Sequence, residues 1–504
     1  MNLIKNLSEL TADALAEFQK AAVSPAQQLT EELRKSGGVN QATGLVAYDL
    51  QAPAKNLFPV LTPLRNRIPR IVSQNGGTAT NWISVTGINT SKLRGFVPEG
   101  RRNGLMSISS TPKSASYKSC GLDDAVTFEA ELAATGFENV RSTQAQRLLW
   151  ATMIEEELSD LGACNSVALG TPTAPTVVVG ATGGTIADAA GGYYCYVVAL
   201  TLHGYLAASL TDGVQQTVTV TTPVNTTFTY GGGSSNSSLT TNTGAVSNSN
   251  VSKLSLSTPV VAGAVAYAWY VGTTTGATLQ AITTLNSVVL TSLTTTHQAI
   301  TSVTADKSTN ALAYDGVLYQ AWASGSGAYI KNMATGTPGT GTGLTADNAG
   351  GITEIDDMLA SMWENYKLSP STIYLNAREG KNITKKILGG SGVQHLITVD
   401  QGQGFTSGAV VARYMNKFAM GTSTYVDVMV HPYMPAGTLM AYTDMLPYPI
   451  SGVPNVVEKR LRRDYYQMEW PMREGQYENG VYFDGVLAHY FPPSVGIITN
   501  IADA

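Results

Sequence analysis

Charge is scarce in this 504-residue chain: Asp, Glu, Lys and Arg make up 13% of the residues, against about 25% in a typical soluble domain. Hydrophobic residues reach 43%, which supplies a sizeable core and excludes a disordered chain, since disorder requires low hydrophobicity and high charge. The net charge of −5 gives no general reason to expect nucleic acid as the main partner. A folded chain this poor in charge usually covers much of its surface with copies of itself or with partners, and we expect the same here.

Cysteine and long apolar runs are also scarce. The three cysteines, Cys120, Cys164 and Cys195, form no Cys-x-x-Cys pair, which argues against a zinc site and against a disulfide framework. We expect reduced, partly buried thiols and folding inside a cell. The longest weakly polar run, 260–272, is too short to span a bilayer, so no membrane partner is expected. Residues 1–22 combine apolar positions at helical spacing with acids, which indicates an amphipathic helix rather than a signal peptide.

Patterns typical of catalysis or metal binding do not occur in the sequence. The five histidines are far apart, there is no Gly-x-Ser-x-Gly elbow, and the sole Gly-Lys pair, at Gly380, lacks the upstream glycine of a phosphate loop. The consecutive carboxylates Glu155, Glu156 and Glu157 would lie on one helix, where such a group is more often a solvated or partner-facing edge than a catalytic pair. We therefore expect no enzyme activity, no cofactor and no metal ion.

One block of the chain has a different composition from the rest. Residues 201–300 contain 35 Ser and Thr and only two charges. Short β-branched or aromatic runs alternate with turn residues at 193–200, 216–222, 253–257, 266–271 and 281–290, which predicts an all-β sandwich. The segments GGYYCYVVALTLHGYLAAS and VAGAVAYAWYVGTTTGA resemble strands of fibronectin type III or immunoglobulin-like modules. The GGGSSNSS stretch from Gly231 is predicted to be an exposed loop.

On both sides of this block the pattern predicts mixed α and β structure. Apolar residues at helical spacing predict a helix over 137–162 that stops at Gly162. A second helix opens at Thr353, with Asp356 completing a capping pattern, and buries one apolar face. A further helix is predicted at 378–388, and strands at 371–377, 425–430, 438–442, 456–470 and 481–490. The predicted apolar faces of the first two helices consist of Trp150, Ile154, Leu158 and Leu161, and of Ile355, Met358, Leu359, Met362 and Tyr366.

The charges outside the Ser/Thr-rich block are sorted by sign. Residues 92–118 carry six bases and one acid, a net +5, whereas residues 123–160 carry nine acids and two bases, a net −7. Alternating segments around the basic residues predict a two-stranded hairpin that is too long to be stable alone. An acidic helix on a neighbouring copy would complement it, although both segments are also compatible with ordinary solvated faces.

We therefore predict an intersubunit contact between these two segments. A second basic run, 459–463, is interpreted either as a contact with DNA or, in preference, as a partner for acids between subunits. The predicted contact places Lys92, Arg94, Glu99, Arg101, Arg102, Lys113 and Lys118 against Glu138, Glu155, Glu156, Glu157 and Asp160 of the neighbouring copy.

An ordered set of segments resembles the major capsid proteins of tailed bacteriophages, which have the Hong Kong 97-type fold. The set begins with AKNLFPVLTPLRNRIPRI, FVPEG and VTFEAELAATGFENV, and continues with WATMIEEELSDLGACNSVALGTPTAP. After the predicted sandwich it resumes with GGITEIDDMLASMWENYKLSPSTIYLNA, VHPYMPAGTLMAYTDMLPYP and DYYQMEWPMREGQYENGVYFDGVLAHYFPP. The resemblance covers about 350 residues. It lies in the order of the segments rather than in any single one.

The resemblance implies an α+β Hong Kong 97-type fold with an inserted all-β sandwich. The implied parts are an N-terminal arm at 1–50; the start of a peripheral domain at 51–165, with an extended loop at 72–118 and a spine helix at 137–162; an inserted immunoglobulin-like sandwich at 166–310; a return and linker at 311–349; an axial domain at 350–450; and the C-terminal strands of the peripheral domain at 451–504. The extended loop would lie over the next subunit.

The implied function is that of a major capsid protein. Its copies would assemble into hexamers and pentamers of an icosahedral head enclosing double-stranded DNA, with the sandwich projecting outward. The implied partners are further copies, scaffold, decoration and portal proteins, and packaged DNA bound weakly and non-specifically by the inner face. Its location would be the virion, and the host cytoplasm during assembly. The alternative is a tail or cell-surface adhesin whose immunoglobulin-like domain binds a host surface; the Thr-rich block fits it, and the resemblance on both flanks opposes it.

Overall fold

The computed structural model describes residues 58–73, 77–135, 138–389, 411–419, 425–447, 454–472 and 474–503. The described residues fall into two units, of which the second contains those within 59–134 and 139–504. All helices and strands named below belong to the second unit. The predicted N-terminal arm and its amphipathic helix lie outside the described residues.

The described residues form a mixed α and β structure, as the sequence predicts. The helices are α1 (Pro63–Arg67), α2 (Phe128–Ala133), α3 (Val140–Gly162), α4 (Leu202–Ala207), α5 (Val317–Trp322), α6 (Thr353–Tyr366) and α7 (Ala377–Gly389). The strands are β1 (Arg70–Val72), β2 (Ala79–Ile88), β3 (Ile108–Ser116), β4 (Lys118–Thr127), β5 (Thr176–Gly180), β6 (Tyr194–Leu200), β7 (Thr217–Thr221), β8 (Thr227–Gly231), β9 (Thr241–Asn242), β10 (Lys253–Ser257), β11 (Ala266–Gly272), β12 (Thr278–Thr283), β13 (Ser287–Leu290), β14 (Tyr329–Asn332), β15 (Thr372–Leu375), β16 (Arg413–Met415), β17 (Tyr425–Val430), β18 (Leu439–Tyr442), β19 (Val457–Glu469), β20 (Gln476–His489) and β21 (Gly496–Thr499).

Two sheets form the main core. The six-stranded sheet has the order β14-β21-β18-β15-β17-β16, and the four-stranded sheet has the order β1-β19-β20-β4. Tyr374 and Met440 of the first sheet pack with Phe483 and Leu487 of the second, while Ile373 on the opposite face packs against α6. The six-stranded sheet draws β14 and β21 from outside 350–450, so the sheet crosses the predicted limits of the axial domain. The domain boundaries themselves stay a prediction.

Helix α3 buries a polar face, contrary to the prediction from its apolar residues. It begins at Val140, after Asn139 accepts a hydrogen bond from the Ser142 N–H at 3.1 Å. The predicted apolar face is only half-buried at Trp150, Ile154 and Leu158. The fully buried positions of the second half of the helix are instead mostly polar: Thr152, Glu156, Glu157, Ser159, Asp160 and Leu161. Spacing alone could not reveal this, because ion pairs with distant residues make the burial of the carboxylates possible.

The predicted stop at Gly162 is confirmed, and its physical reason is packing. A Cβ atom at position 162 would lie 2.3 Å from the Leu202 Cδ2 atom of α4. Glycine therefore allows α4 to approach the end of α3. The chain then continues in extended conformation from Ala163.

Helix α6 confirms its predicted apolar face but not its predicted cap. Ile355, Met358, Leu359 and Met362 are buried, whereas Tyr366 is half-buried. Ile352 takes the N-cap position and Thr353 is already helical, without a side-chain cap hydrogen bond. The capping pattern fails because Asp356 has other partners: it accepts from the Tyr414 hydroxyl at 2.7 Å and pairs with Lys417 at 2.9 Å.

The Ser/Thr-rich block, together with the preceding strands β5 and β6, forms two packed antiparallel sheets, β13-β10-β5 and β12-β11-β6-β9. Strands β6 and β11 are buried on both faces. Val197 and Trp269 face the three-stranded sheet, while Val198 and Tyr270 face a second cluster with Ile300. Burial on both faces explains why these strands are continuous apolar runs rather than alternating ones. The described strands form a sandwich, and its immunoglobulin-like character stays a prediction.

Two local predictions in this block are wrong. The segment 281–290 is not one strand, because a turn around Asn286 separates β12 from β13. The GGGSSNSS stretch is not an exposed loop: Ser234, Ser235 and Ser238 are buried. The hydroxyls of Ser235 and Ser238 accept the N–H groups of Ala199 and Val197 at 2.8 and 3.0 Å. Serine side chains thus satisfy the edge of β6, which a composition-based prediction cannot anticipate.

The first prediction concerns the sandwich core. Trp269 is fully buried and its Nε1–H donates to Thr283 Oγ1 at 2.8 Å. We expect Trp269→Ala to destabilise the sandwich by about 3–5 kcal/mol, because it leaves a large cavity. Hydrogen exchange of the β6 and β11 amides during urea titration measures this. The control, Val178→Ala on exposed β5, should change stability by less than about 0.5 kcal/mol. Equal effects of the two substitutions would contradict the described packing.

Candidate intersubunit surface

The predicted hairpin is confirmed as an extended two-stranded ribbon, defined here as residues 79–116. Its strands β2 and β3 pair antiparallel from Ala79 opposite Ser116 to Ile88 opposite Ile108, with a bulge between Val85 and Gly87. No other described strand joins this sheet. A sheet of two strands is marginally stable in water unless it packs against something else.

The base of the ribbon is attached to the rest of the unit, and its tip is ordered by local hydrogen bonds. Trp82 packs edge-on against Tyr490 of β20, with 5.5 Å between the ring centroids. At the tip, Asn89 adopts a left-handed conformation and its side chain bonds both backbone groups of Leu93. The Asn103 amide donates to the Arg94 carbonyl at 2.6 Å. Side-chain hydrogen bonds, rather than a hydrophobic core, therefore fix the conformation of the tip.

The ribbon exposes large apolar side chains beside unpaired cations. Phe96 is 96% exposed and Leu105 is 93% exposed. Apolar exposure on this scale along one element is typical of an interaction surface. The other exposed apolar residues of the ribbon are Ile83, Val85, Ile88, Val97, Met106 and Ile108. The exposed charged residues of the ribbon form no ion pair within the described ranges. They are Lys92, Arg94, Glu99, Arg101, Arg102 and Lys113.

Lys118, the last cation of the predicted contact, is not on the ribbon. It begins β4, is half-buried, and its Nζ donates to the Ala311 carbonyl at 2.6 Å. The sequence placed it with the hairpin because only one residue separates β3 from β4. The structure therefore places Lys118 outside the ribbon.

The predicted acidic partner surface is wrong for Glu156, Glu157 and Asp160. All three are buried inside their own subunit. Glu156 binds the Arg65 Nε at 2.8 Å and the Arg70 Nη1 at 2.5 Å. These carboxylates cannot face a neighbouring copy without breaking buried ion pairs.

The remaining two acids of the predicted set are more accessible. Glu138 and Glu155 are half-buried. Burial raises the pKa of Glu155, and no ion pair involving it occurs in the described structure.

Burial also sets the electrostatics around Glu156. Desolvation alone would raise the pKa of this carboxyl, but the charges of Lys459 and Arg70 and hydrogen bonds from Tyr465 and Arg70 outweigh it and lower the pKa to about 2. Glu156 is thus an ionised group held among cations. Its described ion-pair partners all belong to its own subunit.

Glu157 caps the N-terminus of helix α1, which lies about 90 positions earlier in the sequence. Its Oε1 and Oε2 accept the backbone N–H groups of Leu64 and Arg65 at 2.9 and 2.6 Å, at the start of α1. The N-cap residue of α1, Thr62, makes no side-chain cap bond, so Glu157 supplies what the local sequence lacks. Oε1 also lies 2.6 Å from the Nε2 of buried His431.

A different acidic surface is exposed. We define the acidic face as residues of β4 and α2 that combine exposed carboxylates with exposed apolar side chains: Leu122, Asp123, Asp124, Phe128, Glu129 and Leu132. The turn between β19 and β20 adjoins it, because the Phe128 N–H donates to the Gly475 carbonyl at 2.8 Å. That turn exposes Trp470 and Met472. These acids lie in the same net −7 segment as the buried ones, and charge counting could not separate the two groups.

The basic run 459–463 mostly pairs within its own subunit. Lys459 is buried. Arg460 binds Glu458 at 2.8 Å, and Arg462 binds Asp484 at 2.8 Å. The preferred prediction placed these pairs between subunits, whereas the described pairs of both arginines lie within one chain.

The three cysteine thiols occupy buried or half-buried positions. Burial raises the pKa of Cys120, Cys164 and Cys195 to about 12, and all three are free. Among the described residues no three His, Cys, Asp or Glu side chains converge to hold a metal ion. The helices of the described part also include none with the length and apolarity to cross a membrane.

Comparisons with known proteins give structural similarity only. No family model matches the chain, and no curated protein matches it. The chain is similar to the capsid of Myoviridae phage XM1, with 10% identity over 92% of this chain and 100% of that one and a TM-score of 0.41. It is similar to the capsid of a native GTA particle, with 7% identity, the same two coverages and a TM-score of 0.42. It is also similar to the capsid of cyanophage A-1(L), with 12% identity over 91% and 98% of the two chains and a TM-score of 0.39.

The second prediction separates the two neighbouring glutamates of α3. Glu157→Ala should destabilise the protein by about 3 kcal/mol or more, because it leaves two backbone N–H groups of α1 and buried His431 without their acceptor. Urea unfolding measures the change. The matched control, Glu155→Ala, should change stability by less than about 0.5 kcal/mol or increase it, since this carboxylate is partly desolvated without an ion-pair partner. A larger loss for Glu155→Ala than for Glu157→Ala would contradict the assignment.

Proposed function

We propose that this protein is a shell-forming major capsid protein of a tailed bacteriophage, without enzyme activity. The observation that carries the proposal is the ribbon, which projects as an isolated two-stranded sheet and exposes apolar side chains and cations along its length. A surface of this kind gains stability when a second molecule covers its apolar groups. The ordered resemblance of about 350 residues to capsid proteins supports a second copy as that molecule.

The acidic face is the proposed receptor for the ribbon on the neighbouring copy. Both surfaces mix apolar groups with charge, and the charges have opposite signs: arginines and lysines on the ribbon, Asp123, Asp124 and Glu129 on the acidic face. Apolar burial would supply most of the affinity, and the charges would set the register of the contact. Because donor and receptor lie on different parts of the subunit, such a contact is heterologous, and it forms rings when the rotation between neighbouring copies closes. Rings of this kind are the hexamers and pentamers that the proposal requires.

The proposed shell encloses double-stranded DNA, and the sandwich projects outward. An insertion of this size is compatible with a closed shell when it avoids the contacts between subunits. The sandwich is anchored to the core by reciprocal hydrogen bonds between Asn286 and Asn500, at 2.9 Å for the Asn286 N–H and 3.0 Å for the Asn500 amide. Its nearly uncharged Ser/Thr surface suits exposure to solvent rather than to nucleic acid.

The third prediction tests the charges. Reversing Arg94, Arg101 and Arg102 to Glu should reduce the yield of shells in negative-stain electron microscopy at least tenfold, because like charges would meet the acidic face. Adding Asp124→Lys and Glu129→Lys to the same chain should restore assembly, which also excludes misfolding as the cause. Loss of shells without rescue would contradict the proposed receptor. Shells at full yield in the triple variant would contradict the proposed role of the ribbon charges.

The fourth prediction tests the apolar part. Phe96→Ser with Leu105→Ser should reduce shell assembly while leaving the unfolding free energy of the isolated subunit within about 0.5 kcal/mol, since both side chains are almost fully exposed. Light scattering during assembly and urea unfolding give the two readouts. The control, Leu239→Ser, removes another strongly exposed leucine, from the sandwich, and should leave assembly unchanged. Equal effects of the control and the double variant would contradict a specific ribbon contact.

A further inference from the structure

Lys459, Asp160 and Glu156 form a buried cluster whose geometry suits a covalent reaction. The Lys459 Nζ on β19 lies 2.5 Å from the Asp160 Oδ1 and 3.5 Å from the Glu156 Oε1, both on α3. The Tyr314 hydroxyl donates to the same Asp160 oxygen at 2.7 Å and also contacts the lysine. The side chains of Lys459 and Asp160 are 1% exposed, and that of Glu156 is 0% exposed.

Aromatic rings close the cluster off from water. The Lys459 Nζ lies 4.0 Å from the centroid of the Tyr314 ring and 5.0 Å from that of Phe483. Burial raises the pKa of Asp160 to about 6, against the opposing charge of Lys459. A medium of low polarity disfavours the charged form of a buried carboxyl group and favours the neutral carboxylic acid. Glu156 differs, because Arg65 and Arg70 hold it ionised from its other side.

We infer that the Lys459 amine and the Asp160 carboxyl condense to an amide bond, which links α3 covalently to β19 within one subunit. One proton first passes from the Lys459 ammonium to the Asp160 carboxylate, giving an amine and a carboxylic acid. The amine nitrogen then attacks Asp160 Cγ and forms the new N–C bond. A proton from this nitrogen passes through Glu156 to the departing hydroxyl, the C–O bond breaks, and one water molecule leaves. No oxidant, reductant or co-reactant is required.

Each neighbour has a defined part in this reaction. Holding nitrogen and carboxyl in contact replaces a collision by a unimolecular step, which accelerates such reactions strongly. The Glu156 carboxylate is the proton relay. The Tyr314 hydroxyl donates to an oxygen of the Asp160 carboxyl, where negative charge develops as nitrogen attacks. The product replaces a buried ion pair by a neutral amide, which removes the cost of keeping two charges out of water.

The bond would close a long covalent loop. Lys459 and Asp160 are 299 positions apart, so the loop contains the sandwich and most strands of the six-stranded sheet. A cross-link over such a span lowers the entropy of the unfolded chain and so raises stability, as a disulfide does. The inference does not depend on the proposed function, since the cluster lies within one subunit.

The mass of the purified protein tests the inference. We expect the folded wild-type chain to be lighter than its sequence by the mass of one water molecule, and proteolysis to yield a branched peptide that joins positions 160 and 459. Asp160→Ala and Lys459→Arg should each have the full mass and no branched peptide. Asp160→Asn is the diagnostic variant, because condensation with an amide releases ammonia and the deficit then equals one ammonia molecule.

Further results test whether the amide bond between Lys459 and Asp160 forms. Glu156→Gln should lower the fraction of branched peptide, since the proton relay is lost, while unfolding in urea reports whether the variant still folds. A wild-type chain of full mass, with unlinked peptides containing Asp160 and Lys459, would overturn the inference and leave the cluster as an ion pair. A deficit that persists in Lys459→Arg would also overturn it, because the water would then have been lost elsewhere.

Discussion

The structure depends on three carboxylates buried on one helix. Glu156, Glu157 and Asp160 are buried on α3, and together they bind three distant parts of the chain. Their partners include Arg65 and the N-terminus of α1, Arg70 of β1, and Lys459 of β19. Charges are costly to bury unless they are paired and hydrogen-bonded, so the helix, α1 and the four-stranded sheet must be in place together. This requirement joins segments that are hundreds of residues apart and gives the core its specific arrangement.

The ribbon differs from this cluster, because its cations form no ion pair with the described residues of their own subunit. The same sequence region contains both kinds of charge, and the fold separates them: acids of α3 are enclosed by intrachain cations, while those of β4 and α2 remain at the surface. Only 13% of the residues are charged. Several of the described ion pairs are buried within the subunit, and a small set of charged side chains remains exposed on the ribbon and the acidic face. The proposed assembly uses that set together with the exposed apolar groups of the ribbon.

The candidate surface could be predicted from the sequence only in part. The hairpin, its charge and its need for a supporting surface follow from alternation and composition, and the described ribbon agrees with them. Its acidic counterpart could not be identified, because a charge count does not distinguish Asp124, which is exposed, from Asp160, which is enclosed by Lys459 and Tyr314. The distinction depends on residues more than 100 positions away. No local pattern contains that information.

The sequence by itself determined which elements form. Periodicity and turn residues specified α3, α6, the ribbon and strands β6, β10 and β11 of the sandwich, because these elements depend on local spacing and on the burial of apolar side chains. Only the tertiary structure decided which face of α3 is buried, why the serines after Gly233 lie inside, and which acids remain free for a partner. The physical reason is that a polar group can be buried only where a distant partner satisfies it. The fold alone brings such partners together.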